Sequence, residues 1–162
     1  MKDKYFLYVG NAYPHKNIEL LLRAADAAGV RVVFVGKEDF FYKRLGIQPK
    51  TVTDVELSNL YQNAQALIFP SFMEGFGLPA LEALANNCPV IVSDIPVFHE
   101  ILRSSATYFD PHNADDLARI LKSAVKKRLP VDSNILKNYS WQKMAKETLS
   151  IYENSAGVRS GQ

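Results

Sequence analysis

Hydrophobic positions along the 162-residue chain follow two alternating rhythms. Short apolar runs rich in aromatic and β-branched residues, at 5–9, 31–35, 66–69, 90–92 and 107–109, predict strands. Between them the apolar spacing turns helical. Residues 18–28 place Leu21, Leu22, Ala25 and Ala28 on one face, with Gly29 as a stop. Asp54 reads as the N-cap of a helix through Leu57, Leu60 and Tyr61, and residues 78–86 read as another. Residues 115–127 carry an apolar stripe at Leu117, Ile120, Leu121 and Ala124, and Ser140 caps a last helix running to about Asn154. Strands that are apolar on both faces, alternating with helices, imply a parallel sheet covered on both sides. The expected fold class is α/β, a doubly wound, Rossmann-like sheet. The pattern contains no internal repeat and no dividing linker, so it predicts one domain over 1–154 and a small, polar, frayed tail over 155–162.

Composition narrows the function classes. Hydrophobic residues make up 48% and charged residues 22%, the mix of an ordinary globular protein. Nineteen Lys and Arg against seventeen Asp and Glu leave a net charge of +2, which gives no general reason to expect nucleic acid or an anionic membrane as partner. A single cysteine, Cys88, cannot form an internal disulfide, and three histidines show no zinc-ligand spacing. No apolar run reaches the roughly 18–20 residues of a membrane helix, and the opening Met1-Lys2-Asp3-Lys4-Tyr5 lacks a signal peptide's apolar region. The expectation is a reduced, cytoplasmic protein.

Candidate chemistry concentrates in Phe69-Pro-Ser-Phe-Met-Glu-Gly-Phe-Gly-Leu-Pro-Ala-Leu-Glu82, which joins a buried strand to a helix. Ligands of doubly wound sheets bind at such carboxyl ends. Gly75 and Gly77 allow a tight turn and close backbone approach, and Pro79 suits a first helical turn. The amides of Phe76, Gly77 and Leu78 would point out of a helix N-terminus and form a seat for phosphate. Glu74 and Glu82 flank it with seven residues between. Two other readings stand beside this one: a plain loop with Glu82 in solvent, and a dinucleotide fingerprint. Gly75-x-Gly77-x-x-Ala80 with Asp94 fits the fingerprint's spacing but not its placement, because Pro70 to Glu74 separate the glycines from their strand and the turn lies midway along the chain.

The same stretch resembles the signature of the retaining glycosyltransferase family 4, enzymes of two-domain GT-B fold, in their C-terminal, nucleotide-sugar-binding domain. The resemblance extends to Phe6-Leu-Tyr-Val-Gly10, to Pro14-His-Lys-Asn17, to the helix from Leu57 to Ala64, to Pro89-Val-Ile-Val-Ser-Asp94 and to Ser140-Trp141 with its helix. It covers nearly the whole chain, from about Tyr5 to Asn154.

The resemblance implies a set of roles. Lys16 would face the donor diphosphate, together with Gly10, Asn11 and the turn residues Gly75, Phe76, Gly77 and Leu78. Asn11 stands where relatives often carry arginine, which removes one cation and leaves more to the amides. Glu74 would contact the transferred sugar, and with Lys16 would be the catalytic residue. Glu82 would accept from the ribose hydroxyls, and Gly36 and Val52 would neighbour the base. No Asp-x-Asp metal motif is present and no cofactor is expected beyond a nucleotide-diphosphate sugar (GDP-mannose or a UDP-sugar) as donor. His15 and His99 read as loop histidines. The implied function is transfer of a hexose of mannose or glucose type to an acceptor glycan, lipid-linked sugar or similar hydroxyl, with peripheral contact at the inner face of the membrane through the missing domain. The family's acceptor-binding N-terminal domain is not in this sequence, which fits two readings alike: an excised domain, or a split enzyme that works with a separate acceptor-domain chain as partner. A non-catalytic nucleotide-sugar-binding module acting with a partner chain is the alternative.

Overall fold

The computed structural model describes residues 4–157. The predicted tail beyond 157, and the Met1-Lys2-Asp3 start that bears on a signal peptide, lie outside the described residues. Five strands, β1 (Phe6–Val9), β2 (Val32–Val35), β3 (Leu67–Phe69), β4 (Val90–Ser93) and β5 (Thr107–Phe109), form one wholly parallel sheet in the order β2-β1-β3-β4-β5. Leu7 registers with both Val33 and Leu67, and Leu67 with Val90.

Alternation along the strands sorts the core into two layers. Phe6, Tyr8, Ile68 and Ile91 face α1 (Ile18–Ala28) and α6 (Ala114–Lys126), which pack on each other. Leu7, Leu67, Phe69, Val90 and Val92 face the other way, onto α3 (Asp54–Asn63), α4 (Leu78–Ala85) and α5 (Pro96–Leu102). The chain runs outward from β1 to β2, then returns to place β3 on the opposite side of β1. The helices therefore change face between β1 and β3, and their loops part at the carboxyl ends of these two strands. That is where doubly wound sheets hold ligands.

Element boundaries depart from the expectation in a few places. Asp54 is the first residue of α3, and Thr53 is its cap: the Glu56 amide donates to the Thr53 hydroxyl at 3.3 Å and the Thr53 amide to the Glu56 carboxylate at 2.8 Å. This reciprocal pair satisfies two amides that a helix start leaves open. Asn113 caps α6 by accepting from the amides of Asp115 and Asp116, which starts the helix at Ala114. Two helices were not foreseen, α2 (Phe40–Arg44) and α5; both are too short for a repeat of apolar positions to declare itself. The last helix, α7 (Trp141–Gly157), accepts its Ser140 cap, with the Lys143 amide donating to Oγ at 3.1 Å, and continues past Asn154.

Between β2 and α3 the chain is pinned rather than sheeted, with a single bridge between Val35 and Lys50. The Tyr42 hydroxyl, fully buried, donates to the Gly10 carbonyl at 2.8 Å. Gly36 lies so close that a Cβ there would stand 2.1 Å from the same carbonyl oxygen. Real Cβ atoms do not approach backbone that nearly, so Gly36→Ala must spread the ends of β1 and β2. The expected cost is about 1–3 kcal/mol, as for other overpacking changes, read as a lower midpoint in urea denaturation.

Candidate functional site

Three loops meet at the carboxyl edge of the sheet: residues 10–17 after β1, 70–77 after β3 and 110–113 after β5. The Phe72 amide donates to the His15 carbonyl at 2.8 Å, and the Asn17 side-chain amide donates to the Pro111 carbonyl at 2.9 Å. These bonds hold the loops against one another. A single turn, Pro14–Lys16, carries Lys16 to the β3 loop, where its ammonium meets Glu74 Oε1 at 2.6 Å. The Ser71 hydroxyl donates to the same oxygen, also at 2.6 Å. The pair is largely enclosed, with side-chain exposures of 14% for Lys16 and 10% for Glu74. The ammonium also lies 5.6 Å from the centre of the Phe69 ring. The structure thus joins the two expected catalytic residues directly. Ser71, fully buried, is the member that sequence reasoning missed, although it stands three residues before Glu74 in the same motif.

The glycine turn follows at once. Gly77 has φ 91°, caps α4, and its absent Cβ makes room for Phe98, whose Cε1 would lie 2.8 Å from it. Gly75 differs: a Cβ there meets nothing within 4 Å. The Ala80 amide is taken by the Gly77 carbonyl at 2.9 Å. Among the described residues the amides of Gly75, Phe76, Gly77 and Leu78 have no protein acceptor, and they stand at the positive end of α4. Glu82 projects from α4 at an exposed position, and its Oε2 accepts the Tyr61 hydroxyl of α3 at 3.1 Å. Burial and the Glu82 charge both push the Tyr61 phenol above its usual range, so it stays a neutral donor that orients the carboxylate.

The remaining candidates have mixed surroundings. The Asn11 carbonyl accepts the Tyr8 hydroxyl at 2.6 Å, and its side-chain oxygen accepts the Tyr13 amide at 3.3 Å. Gly10 and Gly36 lie together at the ends of β1 and β2, while Val52 is half-buried against the α3 and α4 side of the core. His15 sits beside the Tyr13 ring. His99 pairs with Asp94 at 2.5 Å and stacks on Tyr108 with ring centres 4.2 Å apart. Cys88 is buried and its thiol is pushed up to about 12, which removes it as a nucleophile.

This fold is that of the GT-B glycosyltransferases. Sucrose-phosphate synthase from Thermosynechococcus elongatus superposes with a TM-score of 0.75 at 22% identity, over 97% of this chain and 46% of that one. The family model of the glycosyl transferases group 1 matches residues 1–148, and the chain belongs to that family. Among curated relatives, the O-antigen chain mannosyltransferase RfbU of Salmonella typhimurium is 37% identical over 157 residues, spanning 85% of this chain and 42% of that protein. The O-antigen chain mannosyltransferase B of Escherichia coli is 29% identical, over 93% of this chain and 45% of that protein. The chain therefore spans less than half the length of these two relatives. Among the described residues no helix is long and apolar enough to cross a membrane.

The two glycines of the turn are separable by experiment. Gly77→Ala combines a left-handed residue with a Phe98 clash, so a loss of about 1–3 kcal/mol is expected. Gly75→Ala should leave the thermal midpoint at the wild-type value. Equal destabilisation of both variants in parallel melts would show that Gly75, too, serves only the fold.

Proposed function

We propose that this chain is the donor-binding half of a retaining glycosyltransferase that moves a hexose from a nucleotide-diphosphate sugar to an acceptor hydroxyl. The observation that carries the reading is the Lys16–Glu74 pair set beside the unclaimed amides of the glycine turn. A leaving diphosphate needs a cation and N–H donors, and a hexose needs a carboxylate for its hydroxyls; both lie within one stretch of surface. The two mannosyltransferase relatives favour mannose over glucose, and hence a guanosine diphosphate carrier over a uridine diphosphate one.

In this reading the diphosphate draws the Lys16 ammonium toward itself while the amides of Phe76, Gly77 and Leu78 donate to its oxygens. Charge stabilisation of the leaving group by preorganised donors is the main catalytic term, and it costs no reorganisation at the moment of reaction. Glu74, relieved of Lys16 but still held by Ser71, accepts from sugar hydroxyls and faces the positive charge that develops at the anomeric carbon. Glu82, oriented by Tyr61, accepts from the ribose hydroxyls; a carboxylate suits both tasks because it offers two acceptor oxygens in a plane. The bond from the anomeric carbon to the phosphate oxygen breaks. The acceptor oxygen bonds to that carbon on the same face, and its proton passes to the departing diphosphate.

The acceptor requires a second half. The chain's short coverage of its relatives supports this, as does α7, which exposes Trp141, Met144, Leu149, Ile151 and Tyr152. An acceptor-binding domain, in the same polypeptide or in a partner chain, would close over the site. A lipid-linked acceptor would bring the assembly to the cytoplasmic face of a membrane.

Calorimetric titration tests the donor site. GDP or UDP should bind, and Lys16→Ala should weaken the diphosphate by about 1.5–3 kcal/mol, the range for hydrogen bonds to charged groups, while the bare nucleoside is little affected. Equal loss for both ligands would make Lys16 a structural residue. A second test is transfer itself. Holding an acceptor hydroxyl in line can supply roughly 7–11 kcal/mol of the barrier, so the 162-residue chain alone should show slow donor hydrolysis at most. Rapid stereospecific transfer by the single chain would overturn the half-site reading.

A further inference from the structure

A second cavity lies beyond the Lys16–Glu74 pair, outside the carboxyl ends of β4 and β5. It is an open cleft of about 670 Å³ lined by Phe72, Asp94, Ile95, Asp110, Pro111 and His112. We propose that this cleft is a subsite for one hexopyranose ring of the acceptor, placed beside the donor sugar by the loop that carries Glu74. Its role in transfer rests on the donor-half reading above; its chemistry as a sugar site does not.

The volume falls within the roughly 300–1,000 Å³ of small-molecule sites and exceeds that of a single pyranose. The walls divide by chemistry. Phe72 is 42% exposed and offers a flat apolar face. The stacked ring of His112, 5.1 Å away at 26°, keeps that face in place. The C–H face of a pyranose is a natural match for such a ring. The carboxylates of Asp94 and Asp110 share the same cleft. Each has one oxygen already engaged: Oδ1 of Asp94 with His99 at 2.5 Å, and Oδ1 of Asp110 by the His112 amide at 2.8 Å. Among the described residues neither Oδ2 has a protein donor. Two oriented acceptor oxygens suit neighbouring hydroxyls.

The same inventory argues against other ligands. Among the described residues no lysine or arginine lines the cleft, so two carboxylates would repel a phosphate or a nucleotide. A neutral polyhydroxylated ring meets neither objection. The cleft is also well anchored: the Asp94 amide donates to the Phe109 carbonyl at 2.7 Å, and Phe72 is tied through its amide to His15. It adjoins the donor site through two short links. Phe72 stands two residues before Glu74, and Asn17, next to Lys16, grips the Pro111 carbonyl.

The test is a titration of the ¹⁵N-labelled chain with methyl α-D-mannopyranoside, followed amide by amide, with a GDP titration of the same preparation alongside. The glycoside should shift the amides of Asp94, Ile95, Asp110 and His112. Phe72→Ala and Asp110→Asn should each weaken it about five-fold, as expected for loss of an aromatic contact or a charged acceptor, and leave GDP affinity unchanged. Asp110→Asn keeps the Oδ1 acceptor for the His112 amide, so it tests the carboxylate without dismantling the loop. If the glycoside leaves these amides unmoved while GDP binds, or if both variants bind it as the wild type does, the subsite inference is overturned and the donor reading stands. If the glycoside binds in the cleft and neither GDP nor UDP binds anywhere, the sugar site stands and the donor reading falls.

Discussion

One oxygen atom, Oε1 of Glu74, accepts both the Lys16 ammonium and the Ser71 hydroxyl, and the arrangement of the carboxyl edge depends on it. Lys16 follows β1 and Glu74 follows β3, so this junction ties the two strands between which the helices change face. The parting loops of a doubly wound sheet would otherwise leave an open crevice there. An enclosed ion pair must repay the loss of water around both charges, and here a third partner and the Phe69 ring contribute to that repayment. In the proposed reaction, donor binding is therefore an exchange. The diphosphate takes over a cation that already has a partner, and the sugar hydroxyls inherit the carboxylate oxygen that Lys16 gives up. Ser71 stays, which keeps Glu74 from swinging out when the exchange occurs.

The same economy of partners governs the turn. Gly77 is required by the protein, through its φ and through Phe98, whereas the space around Gly75 is open to solvent. A glycine that the fold does not need, next to amides that the fold does not use, is what a ligand pressed against the backbone would require. Glu82 is similar in kind: a buried tyrosine holds one oxygen of its exposed carboxylate, and among the described residues no protein donor reaches the other.

Legibility in the sequence follows physical range. The five strands were readable because each is apolar on both faces, and α1 and α6 because they are long enough for a stripe to repeat. The short α2 and α5 had no such repeat. At α3 two adjacent residues can cap, and the choice of Thr53 over Asp54 follows from Glu56, three residues on, which completes the reciprocal pair with Thr53. Lys16 and Glu74 each stand in a motif, but their contact across 58 positions is not legible there, because no local pattern records which loops a sheet brings together. Ser71 and Tyr61 were missed for the same reason: each acts only through a carboxylate that the fold delivers to it. The cleft at Asp94 and Asp110 is assembled by the ends of three different strands, and although Phe72 and Asp94 stand in stretches that carry the resemblance, no local pattern joins them to Asp110.

The placement of Trp141 on α7 has an optical consequence. It is the chain's single tryptophan, and it is 69% exposed on an outlying helix, while the core absorbs ultraviolet light through buried tyrosines and phenylalanines. Indole emission responds to the polarity of its immediate surroundings. The fluorescence colour of this protein is consequently set by what lies against α7. It would move toward the blue when another surface covers that helix, and it would register little while the sheet comes apart.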